Sequence, residues 1–182
     1  MPLSFRSRWA PLIVFTAALG ACNPVFNWRE VPIADDGLVA LLPCKPDHAT
    51  RNLPLGGGSA SVVVDMTGCE AGGATFAVAH ATAEDAAQAD AWMRAWRAAT
   101  RSQLSGAAIV ETPVTLPRAA VSPAPVRFEL PQQQGAGGPA PAQMLWFAQQ
   151  RAGKVALYQA TVLGRPASAE APSVFFEGLR LP

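Results

Sequence analysis

Two histidines, three cysteines and a run of arginines are the residues of this chain whose types and spacing suggest chemistry. A hydrolase needs a nucleophile, a base and a group that orients the base. His48 and His80 are the only histidines, and Gly57-Gly58-Ser59-Ala60-Ser61 does not fit the Gly-x-Ser-x-Gly elbow. Asp47 adjoins His48, but neighbours in sequence do not make a triad. His48 therefore reads as a loop histidine and His80 as a strand histidine. Glycoside cleavage needs two carboxylates set across a cleft. Asp35-Asp36 and Glu84-Asp85 instead suit a turn and a helix start. Gly56-Gly57-Gly58 and Gly135-Ala136-Gly137-Gly138 have neither a P-loop Lys-Ser/Thr nor dinucleotide spacing, so both read as loops. Cys44 and His48 have a zinc-like spacing, but Cys69 and His80 stand too far apart to complete that pattern. No catalytic residue, metal or cofactor is expected. The alternative is a cell-envelope hydrolase using His48 or His80 with a nearby carboxylate.

Arg94, Arg97 and Arg101 fall at i, i+3 and i+7 and form one stripe if the segment is helical. As a solvated face, the stripe would pair Asp90 with Arg94 at i+4. As a docking strip, it would hold an anionic partner. Trp92 and Trp96 on the same segment suit packing of a helix on a sheet better than stacking on sugar, because a large ring buries much apolar area.

The N-terminus sets the compartment. Arg6 and Arg8 precede an apolar run from Trp9 to Leu19, and Gly20-Ala21 supplies small residues before Cys22. This is the plan of a secretory signal. About 11 to 13 apolar residues are too few to span a ~30 Å hydrocarbon core. Leu19-Gly20-Ala21-Cys22 resembles the lipobox of bacterial lipoprotein precursors. The resemblance implies a signal peptide over 1–21 and a diacylglycerol (palmitate-type) thioether on Cys22. It also implies a lipidated tether over 22–36 and a soluble body over 37–182, facing the periplasm. Asn23, where aspartate would favour the inner membrane, points to the outer membrane. Asn27-Trp28-Arg29-Glu30 and Leu42-Pro43-Cys44-Lys45-Pro46-Asp47 are similar to stretches of uncharacterised proteobacterial lipoproteins.

With Cys22 assigned to lipid, Cys44 and Cys69 remain. An even pair in an exported chain reads as a disulfide rather than a metal site. Without the leader, 12 basic side chains stand against 13 acidic ones, for a net charge of −1. A near-neutral body lacks the basic footprint of a nucleic-acid binder.

The elements that must position these residues follow from periodicity. Asn23 to Ala34 reads as a tether that becomes a first strand or an irregular lead-in, and Asp35-Asp36-Gly37 as a turn. Leu38–Leu42, Ser59–Met66 and Ala74–Ala81 read as strands, the last two as a hairpin about Gly72-Gly73. The polar, Pro- and Gly-rich stretch Lys45–Gly58 reads as a loop. Ala83–Leu104 is dense in helix formers, with Thr82 as its N-cap, an apolar face of Ala89, Trp92, Trp96 and Ala99, and Gly106 as its stop. Ala108–Val114, Val126–Leu130, Met144–Gln150 and Val155–Leu163 read as strands, Gln132–Pro141 as a loop, and Ala169–Glu177 as a short helix.

Together they predict an α+β fold, an antiparallel sheet packed with one long helix and a short C-terminal helix. The ending Ala156-Leu157-Tyr158-Gln159-Ala160 … Val174-Phe175-Phe176-Glu177-Gly178-Leu179-Arg180-Leu181 resembles the close of PsbP-like domains, as does Leu41-Leu42-Pro43. Members of that family mostly bind proteins or assist assembly, so the resemblance implies a non-catalytic binding or assembly-accessory module. An envelope protein is the expected partner, with Arg94, Arg97 and Arg101 as its contact. A plain structural tether is the third reading.

Overall fold

The computed structural model describes residues 24–55, 61–104, 107–132 and 139–182. Cys22 and the leader, Gly56–Gly58, Gly106 and most of the Gln132–Pro141 loop lie outside the described residues. The fold is α+β. Strands β1 (Arg29–Ile33) and β2 (Leu38–Leu42) form an antiparallel hairpin of their own. Strands β3 (Asp47–Leu53), β4 (Val62–Ala71), β5 (Ala74–Ala83), β6 (Val110–Pro113), β7 (Val126–Leu130), β8 (Ala142–Arg151) and β9 (Lys154–Gly164) form the main sheet. It is antiparallel throughout, in the order β3-β4-β5-β9-β8-β7-β6. Helix α1 spans Ala86–Gln103 and helix α2 spans Ala171–Glu177.

Period-two side-chain alternation divides the sheet into two buried faces. Phe76, Val78, Phe147, Tyr158 and Ala160 point to the side covered by the β1–β2 hairpin and α2, where Ile33, Leu38, Leu42 and Phe175 meet them. Ala79, Ala81, Phe128, Trp146 and Leu157 point the other way, onto Ala89, Met93 and Trp96 of α1. Gly72 and Gly73, at φ +59° and +84°, close the β4–β5 hairpin with the left-handed pair that a two-residue turn needs. Gly178 is required for a different reason. A Cβ there would overlap the Leu41 side chain, so its absence lets the end of α2 seat on β2.

Four expectations need correction. Asp47–Leu53 is strand rather than loop. It is the sheet's edge, beyond both covering layers, so Asp47 to Asn52 are all exposed and show no alternation. The stretch 22–36 is not wholly tether. Val31 and Ile33 are buried and β1 pairs with β2, so the folded body begins ahead of residue 37. The helix is capped by Asp85, whose side chain accepts from the Gln88 N–H at 2.8 Å, while Thr82 lies in β5 beside Asp36. The buried face of α1 is Ala89, Met93, Trp96 and Thr100, with Trp92 only partly covered.

Candidate functional site

Three places bring functional side chains together. The first is the cysteine pair. Cys44 follows β2 and Cys69 lies near the end of β4, with Cα atoms 5.9 Å apart and the sulfurs bonded. The bond ties the hairpin to the sheet. Among the described residues no group of three or more His, Cys, Asp or Glu side chains is placed to hold a metal ion.

The second is His80. Its Nε2–H donates to Asp36 Oδ2 at 2.6 Å, and the ring packs against Tyr158 with centroids 5.2 Å apart. Asp36 reaches it from the β1–β2 turn. Thr82 Oγ1 lies 3.4 Å from the same Nε2 and 3.5 Å from Asp36 Oδ2. Among the described residues neither the buried Nδ1 nor the Tyr158 hydroxyl has a partner. Burial, with the Asp36 charge adding to it, pushes the Tyr158 phenol well above its ordinary range. In a catalytic triad the carboxylate and the hydroxyl take opposite ring nitrogens. Here both crowd Nε2, which is the geometry of a clasp holding the hairpin turn on the sheet. His80 also borders a depression of about 360 Å³ with Ser61, Asp65 and Thr82. His48 is exposed on the edge strand, its Nδ1 3.1 Å from Thr67 Oγ1. The two histidines are not brought together.

The third is a groove that no sequence motif announces. The hairpin and α2 stop short of β7, leaving a trough of about 600 Å³ lined by Leu116, Arg118, Arg127, Leu145, Phe176 and Leu179, among others. Its volume is that of a ligand cleft. Leu145 and Phe176 give it an apolar floor. The Arg127 guanidinium lies 4.7 Å over the Phe176 ring with its Nη1 3.9 Å from Glu129 Oε1, and its Nε is buried with no acceptor among the described residues. Arg118 donates to the Leu181 carbonyl at 3.2 Å and stands on the rim. Glu177 and Arg180 also line the groove, and Arg180 is paired with Glu30 at 2.6 Å. Strand alternation hinted at this site. Val126, Phe128 and Leu130 face α1, which turns Arg127 to the opposite side. That α2 would bring Phe176 beneath it depends on tertiary packing.

No family model matches this chain, and no curated protein matches it at a significant level. The reading of the site therefore rests on its geometry.

The arginine stripe is less uniform than its spacing suggests. Arg94 is exposed. Arg97 is half-buried, and that burial lowers its pKa, with Arg101 and Arg94 acting in the same sense and Glu111 and Asp90 opposing. Arg101 is already engaged, paired with Glu111 and 4.7 Å over the Phe128 ring. Asp90 accepts from Ser122 Oγ at 3.0 Å, and among the described residues it forms no ion pair with Arg94.

Proposed function

We propose that this chain is a lipid-anchored module of the bacterial envelope. It faces the periplasm, performs no chemistry of its own and binds a protein partner. The observation that carries the reading is the groove between α2 and residues 114–118, where an apolar floor meets the unpartnered Arg127 Nε–H. The Arg127 side chain is 32% exposed and its guanidinium comes only within 3.9 Å of Glu129 Oε1, so a partner carboxylate could add a charge-assisted hydrogen bond there. The matching partner is a segment presenting apolar side chains beside an acidic residue. The lipobox resemblance supports the anchor at Cys22 and, with Asn23 following it, the outer membrane. The PsbP-like ending supports protein binding over chemistry, and the Cys44–Cys69 disulfide suits an oxidising compartment.

The test is in-cell photocrosslinking from Leu116 in the groove and from Arg94 on α1, combined with palmitate labelling of the wild type and Cys22→Ser. The expected result is label on the wild type alone and one dominant protein adduct from Leu116 that Arg127→Ala removes. An adduct from Arg94 but not from Leu116 would move the contact to the arginine stripe and sink the groove.

A hydrolase is the second reading, favoured by the His80–Asp36 contact beside a depression that also holds Thr82. It requires Thr82 to be acylated or phosphonylated by an electrophilic probe, and that labelling to vanish in His80→Gln. Unlabelled protein would leave the binding module alone.

A further inference from the structure

We infer that the chain between Cys22 and Phe26 is a leash short enough to fix how the molecule stands on its membrane. The end built from the β4–β5 turn and the close of β9 is held against the lipid, and the arginine-rimmed groove at mid-height is left clear of it. The inference rests on the lipid anchor proposed above.

The starting point is where the chain becomes fixed. Phe26 stacks on Trp28 with centroids 5.9 Å apart, and both rings pack edge-on to Phe76 in the core. The Phe26 ring sits so close to Gly72 that a Cβ on the glycine would overlap it. The Asn27 N–H donates to the Pro43 carbonyl at 2.7 Å, next to the Cys44–Cys69 bond. From Phe26 onward the chain belongs to the fold. Cys22 is four residues earlier, a reach of at most about 14 Å even when fully extended.

The molecule is longer than that reach. Strand β5 runs ten residues, from Ala74 beside the attachment point to Ala83 at the opposite end. At about 3.3 Å per residue this axis measures roughly 33 Å. A leash of about 14 Å cannot let the molecule stand on its far end with the attachment point raised by the length of β5. Of the two ends, the near one is therefore the one on which an anchored molecule can stand.

The surface of that end agrees. Among the described residues, Val25, Val110 and Leu163 are three of the five large hydrophobic side chains left exposed, at 61%, 53% and 43%. Val25 is next to Phe26, Val110 opens β6 opposite Glu129 near the close of β7, and Leu163 pairs with Thr75 and Ala142. The other two, Val63 and Val121, lie toward the far end. The far end carries Asp36, Glu84, Asp85, Arg151 and Lys154, and the near end carries Lys45, Glu70, Arg165 and Glu170, so the apolar side chains rather than charge mark the near end. The groove lies at mid-height and beyond: Arg127 is level with Leu145, Ala160 and Val78 at the middle of the sheet, and Val114–Arg118 continues from β6 away from the near end.

The experiment uses the full lipidated protein in vesicles of phosphatidylethanolamine and phosphatidylglycerol. With Cys22 acylated and Cys44–Cys69 bonded, a new cysteine is the one free thiol. Leu163→Cys at the near end and Ala87→Cys at the start of α1 are labelled with a fluorophore, and brominated lipid is the quencher. We expect several-fold stronger quenching at Leu163 than at Ala87. Inserting about 12 Gly/Ser residues after Asn23 gives a leash whose extended reach exceeds the molecule, and it should bring the two sites close to parity. Equal quenching in the native chain, stronger quenching at Ala87, or a contrast unchanged by the insertion would overturn the inference. Protein that fails to float with the vesicles would overturn the anchor as well, so the two failures are distinguishable.

Discussion

The Nε2 atom of His80 lies 2.6 Å from Oδ2 of Asp36, and this contact joins residues 44 positions apart. It fastens the β1–β2 turn to the middle of β5. The His80 side chain is 8% exposed and that of Asp36 22%, so water does little to replace the bond if it is lost. Asp36→Ala should destabilise the protein by about 1 to 3 kcal/mol, because a buried ring nitrogen loses its acceptor. Urea unfolding of Asp36→Ala, His80→Ala and the double variant should give a coupling of about 0.5 kcal/mol or more. Purely additive losses would mean that the contact contributes nothing.

Tyr158 gives the molecule a pH dependence with a definite sign. Burial, then Asp36, raises its phenol above the ordinary value of 10.0. The unfolded chain ionises near that value and the folded chain does not. The stability Tyr158 contributes is whole below about pH 10 and is lost as the pH climbs through the raised folded value. Its hydroxyl has no partner, so Tyr158→Phe should be at least as stable at neutral pH. Thermal melts between about pH 8 and about pH 11 should fall less steeply for Tyr158→Phe than for the wild type. Identical slopes would remove Tyr158 from the account.

Much of this fold was legible because its strands are half-buried and alternate. Val126–Leu130 appears over its predicted bounds, β5, β8 and β9 differ from prediction only at their ends, and β4 was anticipated only over Val62–Met66. Asp47–Leu53 was illegible because an uncovered edge strand has no buried face to impose a period. The helix cap was misplaced because Thr82 and Asp85 are both good capping types, and only the contact with Asp36 shows that Thr82 is occupied. The groove was harder still. Leu116, Arg127 and Phe176 come from separate segments, and no local pattern announces that they converge. The arginine spacing was visible, but the Glu111 and Phe128 partners of Arg101 lie on other strands.

Arg101 and Arg94 should behave differently although they share the helix stripe. Arg101 sits over Phe128 and pairs with Glu111 while remaining 45% exposed, so Arg101→Ala should cost on the order of 1 kcal/mol, chiefly through the ring contact. Arg94→Ala should change stability by less than about 0.5 kcal/mol. Chemical denaturation of the two variants checks this, and equal losses would mean the Phe128 contact contributes nothing.

Gly178 links α2 to the groove. A Cβ there would overlap Leu41 and lie 3.0 Å from the Val174 carbonyl. Gly178→Ala should cost roughly 1 to 3 kcal/mol as the end of α2 lifts from β2. Leu179, Arg180 and Leu181 line the groove and follow directly, so the same variant should weaken the crosslink from Leu116. A stable, fully crosslinking Gly178→Ala would show that this close approach does not shape the groove.

The Cys44–Cys69 bond should matter most of these for stability. It closes a loop of 25 residues, for which the chain-entropy model gives about 3 to 4 kcal/mol. The double variant Cys44→Ala/Cys69→Ala should lose about that much in urea unfolding. The position of the bond adds a second expectation. It pins the end of β2 to β4 beside Phe26 and Trp28, where the leash joins the fold. Without it, the β1–β2 hairpin is held to the sheet by its apolar face and the His80–Asp36 contact, while the Val39–Arg180 bridge ties it to the segment after α2. Amide hydrogen exchange should therefore speed up more in β1 and β2 than in β8 and β9. Uniform acceleration across the sheet would mean that the bond stabilises only through the unfolded chain and not by holding this hairpin in place.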